Sequence, residues 1–218
     1  MADLPELFTD GLADGHRIEL DRFVKALAER YPVVLKNEEN FESIEAALRD
    51  FEIVRPYRLL SILNYLQVDL GGSLLDLFFI AVNYTFVNPA NADNDPGRTD
   101  VVLTDHRIAG YCQLKNPLGH VLIKPKSSSD FISELFKSVE MEFQGFDDFN
   151  RSYHVLTDAP EILKKVFPPE AIGRLQALHD VHFEAIEDVC LAFQDRNLTA
   201  DSGMELVEMF KAMADGNL

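Results

Sequence analysis

Several side chains in this sequence have types and spacings that chemistry could use. Asp105, His154, Asp158 and Glu184 supply an imidazole and three carboxylates. That is the inventory of a hydrolytic or metal-dependent site, provided the fold gathers them from distant positions. Asp105 and His106 set a carboxylate beside an imidazole, as a polarised base would need. Consecutive strand residues point to opposite faces, however, so this pair is not expected to bond through its side chains. No Gly-x-Ser-x-Gly supplies a nucleophile, and neither Cys112 nor Cys190 has a neighbouring base. His179 and His182 share a face only if one helix runs through both, and the helix is expected to end near Asp180. Two imidazoles without a third ligand do not make a metal site. Asn91, Asp93 and Asp95 alternate as in a calcium loop. Yet glycine falls at the seventh place and Val102 at the twelfth, where a bidentate glutamate is required. There is no Gly-x-Gly-x-x-Gly and no Walker pattern to cradle phosphate. The sequence therefore assigns no catalytic residue, no metal ligand and no cofactor.

Charge narrows the partners. The net charge of −17 argues against nucleic acid, whose binding requires cation clusters that displace counterions. One window, His106 to Ser129, holds Arg107, Lys115, Lys124 and Lys126 and no acid. Two readings follow: a surface for an anion or acidic partner, or strands whose cations lie against the chain's own acids. The two cysteines form no Cys-x-x-Cys pair and lie in apolar surroundings, so they read as buried reduced thiols rather than a disulfide or a zinc pair. The start of the chain has acids and no basic region, and the uncharged run Leu77 to Ala92 is too short and too interrupted to span a bilayer. These features lead us to expect a cytoplasmic protein with no membrane span.

The elements that must position these residues are read from periodicity. Leu20, Phe23, Val24, Leu27 and Tyr31 make one helical stripe, stopped by Pro32. Phe41, Ile44, Leu48 and Phe51 make a second. Residues 1–50 thus read as a helical part and 51–218 as a sheet-containing core. Gly71 and Gly72 mark a turn, and Leu74 to Val87 reads as an interior strand. Asn88 to Gly97 reads as a loop and Arg98 to Asp105 as a strand. Ile108 to Leu114 and His120 to Ile123 continue a meander that turns at Pro117 and Gly119. A helix through Ile132, Leu135, Phe136 and Val139 and an extended piece at Met141 and Phe143 are expected next. Val181 to Ile186 and Val189 to Phe193 pair around Glu187 and Asp188. Ser202 with Glu205 reads as a capping box for a last helix striped by Leu206, Met209, Phe210 and Met213.

Between these lies Phe149 to Pro169. Phe149, Tyr153 and Val155 fall on one face of a strand at a period of two. Asp158 and Glu161 have the spacing of a helix cap, and Pro169 suits the first position of a following helix. The motif Phe-x-x-x-Tyr-x-Val-x-Thr-Asp, with the proline-led helix carrying Leu175 and Leu178, resembles a bacterial domain family of unknown function. Many of its members carry membrane-spanning segments ahead of the domain. The likeness reaches back through Tyr84, Thr99 to Leu103 and Lys115 to Pro125, and forward to about Phe193. It implies no catalytic residues, and this chain departs from the anchored members in having no spanning segment.

The expected fold is α+β, a mainly antiparallel sheet with packed helices in a single domain. Two functions stand: a non-catalytic module binding a protein or ligand partner, with Arg107, Lys124 and Lys126 as a basic patch, or an enzyme assembled from Asp105, His154, Asp158 and Glu184. Replacing Tyr153 by alanine should cost on the order of 3 kcal/mol if its ring lies inside. A melting temperature that scarcely moves would place the ring in water.

Overall fold

The computed structural model describes residues 7–9, 12–36, 41–57, 59–86, 101–126, 139–167, 169–195 and 198–214. In chain order the elements are α1 (Asp14–Arg30), β1 (Val33–Leu35), α2 (Glu42–Leu48), β2 (Leu59–Asp69), β3 (Leu74–Phe86), β4 (Val101–Gln113), β5 (His120–Pro125) and β6 (Val139–Glu140). They continue with α3 (Asp147–Ser152), β7 (Tyr153–Thr157), α4 (Pro160–Val166), α5 (Pro169–Leu178), β8 (Val181–Ile186), β9 (Val189–Gln194) and α6 (Ala200–Ala214). The strands form one antiparallel sheet in the order β1-β2-β3-β4-β9-β8-β5-β7-β6. This is the expected α+β architecture.

The sheet is covered on both faces, which explains why β3 reads as an almost unbroken apolar run. Leu75, Leu77 and Phe79 point to one core and Phe78, Ile80 and Val82 to the other. The first core lies under α1, α5 and α6 and takes in Leu20, Phe23, Val24 and Leu27 of α1. The second lies under α2 and the turns that follow it, with Leu48, Phe51, Ile53 and Val54. At the start of α6, Thr199 and Ser202 exchange bonds: the Ser202 N–H donates to Thr199 Oγ1 at 3.1 Å and the Thr199 N–H to Ser202 Oγ at 3.3 Å. The cap is thus one turn upstream of the expected Ser202–Glu205 box. Glu19 of α1 accepts from the Ala200 N–H at 2.8 Å. Chiefly that bond holds the Glu19 carboxyl below its ordinary range.

The meander expectation fails at β4. Val101–Gln113 is one strand rather than two, and β5 does not pair with it. The β8–β9 hairpin is inserted between them, with Cys112 opposite Cys190 and Ile123 opposite Phe183. The link from β4 to β5 arches over the hairpin tip. Leu114 N–H donates to Asp188 O at 2.6 Å, Leu118 N–H to Glu187 O at 2.9 Å, and Glu187 N–H to Gly119 O at 2.9 Å. Gly119, at φ +73°, supplies the left-handed turn there. The N-terminal part is also not purely helical, because Val33–Leu35 adds an edge strand to β2.

Phe149 belongs to α3 and not to a strand. A spacing of four satisfies both periods, so Phe149 stacks on Tyr153 at 4.8 Å across the α3–β7 junction and both rings are buried. Asp158 does not cap α4. It accepts the His120 N–H at 2.9 Å, and Thr157 Oγ1 takes the Ala159 N–H at 3.0 Å. The expected loop at Asn88 to Gly97 and the expected helix through Ile132 and Phe136 lie outside the described residues.

The outer border of β2 is closed piece by piece. Beyond β1, the Lys36 N–H donates to Tyr65 O at 2.9 Å. The Asn64 side chain takes the Phe8 N–H and returns its own N–H to Phe8 O, both at 2.8 Å. Glu45 of α2 accepts the Ile62 N–H at 2.8 Å.

At Gly110 of β4 the side chain of Phe210 from α6 comes close against the strand backbone, since a Cβ there would enter the Phe210 ring. Gly110→Ala should therefore cost roughly 2 kcal/mol by overpacking. Pairing it with Phe210→Leu should recover part of that loss in a urea titration. Full stability in the single variant would mean that the ring moves aside freely.

Candidate functional site

The sequence candidates divide among three polar clusters on the sheet face opposite α1, α5 and α6. In the first, Arg107 of β4 is 6% exposed and is clasped by acids on both sides. Its Nε donates to Asp105 Oδ2 at 3.0 Å, and its Nη1 meets both Asp195 and the Tyr57 hydroxyl. The guanidinium lies 4.8 Å from the Tyr57 ring and 5.3 Å from Phe193. His182 stacks on Phe193 and bonds Asp195 Oδ2 through Nε2 at 2.7 Å. Burial pushes the Tyr57 hydroxyl well above its usual range. Burial also raises Asp195, but bonding to His182 and the Arg107 charge outweigh it and hold the carboxyl below its ordinary range.

In the second cluster, Glu184 is fully buried. Its Oε2 accepts the Ile53 N–H at 3.0 Å and its Oε1 meets His120 Nε2 at 2.6 Å. Asp158 reaches the same histidine, but through the backbone. In the third, His154 Nδ1 meets Glu140 at 2.7 Å, with Lys126 Nζ at 4.0 Å from that carboxylate. Asp105 and His154 thus sit in different clusters from the Glu184–His120 pair, and the four candidates do not converge. Asp105 accepts the His106 N–H at 2.9 Å and does not touch the imidazole, as strand geometry requires. His179 closes α5 at φ +50° and His182 lies in β8, so the helical histidine pair does not form. Among the described residues no three His, Cys, Asp or Glu side chains are grouped to hold a metal. Asn91, Asp93 and Asp95 lie outside them.

The basic window does not make a surface patch. Arg107 is consumed by its acids, Lys124 is 7% exposed, and Lys126 Nζ donates to Asn150 O at 2.8 Å. Arg107 and Lys126 face the chain's own acids, as the second of the two readings has it.

The structure adds a feature that sequence reasoning missed, an apolar groove of about 470 Å³ beside α2. Ile44 and Ala47 form one lip, Phe51 and Phe78 the floor, and Ile186 and Val189 of the β8–β9 tip the far wall. Phe51 meets Tyr111 edge-on at 6.2 Å, and Tyr65 tilts against Phe78 at 4.9 Å. Asp76 is the polar centre. It accepts the Tyr65 hydroxyl at 2.9 Å and the Gln67 amide at 3.1 Å. Tyr111 stands directly opposite Asp76 in the β3–β4 register, and its hydroxyl bonds no described residue. Burial first, and the Asp76 charge after it, raise that phenol above its usual range, so it is a neutral donor at ordinary pH. The sequence signal for this groove was a lone acid within the run Leu74 to Ile80. A second hollow, of about 580 Å³, lies near Lys126, Arg151 and His179, and Asp148 already pairs with Arg151 there at 2.6 Å.

These features define an α+β protein with a nine-stranded antiparallel sheet, buried on both faces and grooved on one. The fold is similar to that of the mycobacterial trehalose monomycolate transport factor A, TtfA. That crystal structure aligns with a TM-score of 0.50 at 10% sequence identity, covering 94% of this chain and 97% of the other. At that identity the likeness concerns the fold. No family model and no curated protein sequence matches the chain. No helix among the described residues is long and apolar enough to cross a membrane.

The Asp195 environment has a testable sign. A carboxyl depressed in the folded state contributes stability above its unfolded pKa of about 3.9, and that contribution is lost as pH falls through the folded value. Asp195→Asn should lower the melting temperature at pH 7, with the gap to the parent narrowing below about pH 4. A gap unchanged down to pH 3 would remove the carboxylate charge as its source.

Proposed function

We propose that the chain is a non-catalytic binding module whose groove beside α2 takes a small, apolar, uncharged molecule. The observation that carries this is the groove itself. It is apolar, of ligand size, and furnished with a phenol hydroxyl, that of Tyr111, which bonds no described residue. Asp76 and Asp50 line the same hollow, and the chain carries −17 overall, so an anionic head group would be repelled. A neutral molecule with a hydrogen-bond acceptor fits the lining best, its apolar body over Phe51 and Phe78 and its acceptor on Tyr111. Protein partners of standard size cover about 800 Å² on each side, more than so small a hollow offers. The dispersal of Asp105, His154, Asp158 and Glu184 leaves the enzyme reading without a gathered site. From the Phe149 to Asp158 motif we further infer kinship with the bacterial domain family that carries it. Binding of this kind sits beside the transport named for the structural neighbour, though only the fold carries over from that protein.

Titration with N-phenylnaphthylamine tests the reading. Saturable binding is expected, displaced by decanol at a lower concentration than by decanoate. Ala47→Trp, which plugs an exposed lip, should weaken binding at least tenfold while leaving the melting temperature in place. Tyr111→Phe should reduce decanol affinity about three- to tenfold, the contribution of one hydrogen bond. Equal binding by parent and Ala47→Trp would sink the proposal.

A further inference from the structure

The β4–β9 junction contains a chemistry that the groove does not use. Cys112 and Cys190, 78 residues apart in sequence, stand opposite one another in that ladder with Sγ atoms 3.4 Å apart. Both are free thiols and both are buried. We propose that they are the two halves of a cross-strand disulfide that locks the sheet at its central seam.

Three observations carry this. The first is register. Leu114 N–H donates to Asp188 O two steps along the ladder, so Cys112 and Cys190 form a pair of the hydrogen-bonded type. Opposed α-carbons in such a pair are about 5.5 Å apart, within the range a disulfide bridges without backbone movement. The second is direction. Both side chains point to the core under α6, and their sulfurs already touch. The third is place. The ladder between β4 and β9 has five opposed pairs, Ala109 to Gln113, against twelve between β3 and β4. Among the described strands it is the ladder that joins β1 through β4 to the other five.

The bond forms by exchange with a low-molecular-weight disulfide. One protein thiolate attacks it and expels a small thiolate, giving a mixed disulfide. The second protein thiolate attacks the protein sulfur of that adduct and expels the other small thiolate. Two S–H bonds break and one S–S bond forms in the chain, and the oxidant is reduced to two thiols that carry off both protons. Burial raises the Cys190 thiol well above its usual range. The closed seam is therefore slow to react, and oxidation proceeds while β9 is not yet docked on β4. Once closed, the bond is shielded from reductants by the same burial.

The full chain, reduced and unfolded, is refolded in excess oxidised over reduced glutathione, quenched with iodoacetamide and weighed. The expected product is lighter than the reduced chain by two hydrogens and carries no alkyl group, and its digest contains a Cys112–Cys190 cross-link. It has the near-ultraviolet dichroism of the reduced protein and melts several degrees higher, since the bond closes a 78-residue separation. Cys112→Ala and Cys190→Ala each abolish the loss of two hydrogens. Two alkylated cysteines after refolding overturn the proposal, as does a cross-linked chain that melts no higher than the reduced one.

Discussion

The structure depends on one non-local constraint, the insertion of the β8–β9 hairpin between β4 and β5. Without it the sheet would be two fragments, one of four strands and one of three. The hairpin forms locally around Glu187, which takes φ +56°. Its docking requires β4 and β5 to be held apart by its own width. The segment 114–119 sets that gap by bonding across the hairpin tip at Leu114, Leu118 and Gly119. Closing such long-range pairs costs chain entropy before any contact is gained. The five-pair ladder at β4–β9 is where that cost is met.

The buried polar groups of the second face have a mechanical role that follows from what they touch. Glu184 holds the Ile53 N–H, and Arg107 holds Tyr57. The two contacts fasten the turns after α2 onto β8 and β4. Phe51, in those same turns, is the floor of the groove. Ionic and apolar features that look unrelated in sequence therefore form one unit, in which charges anchor the wall that shapes the hollow. Removing one partner of a buried pair leaves the other uncompensated, which is why such clusters are costly to break.

Legibility in the sequence followed the range of the interactions. The stripes of α1, α5 and α6 and the β8–β9 pair were readable because each is a local period with a turn or proline at its end. Phe149 was misread because its distance of four from Tyr153 fits a strand and a helix equally, and the acids Asp147 and Asp148 at the start of α3 decide for the helix. Strand order was unreadable, since nothing near Gln113 says that its neighbour is Val189. The basic window left two readings open for the same reason. Counting charges along the chain cannot show that Arg107 will meet Asp195. Tyr65, Asp76 and Tyr111 sit on three strands and become neighbours only through register.

The closed outer border of β2 has a consequence for life at high concentration. A long strand with free amides and carbonyls is a template on which another molecule can add its own strand, and growth of that kind ends in fibres. Here Glu45 takes the Ile62 N–H, Lys36 takes the Tyr65 carbonyl and the short β1 pairs with the strand from Leu66 to Val68, all groups from the same chain. Protection against strand addition at this border is thus built into the backbone pairing, beside whatever repulsion the negative charge supplies.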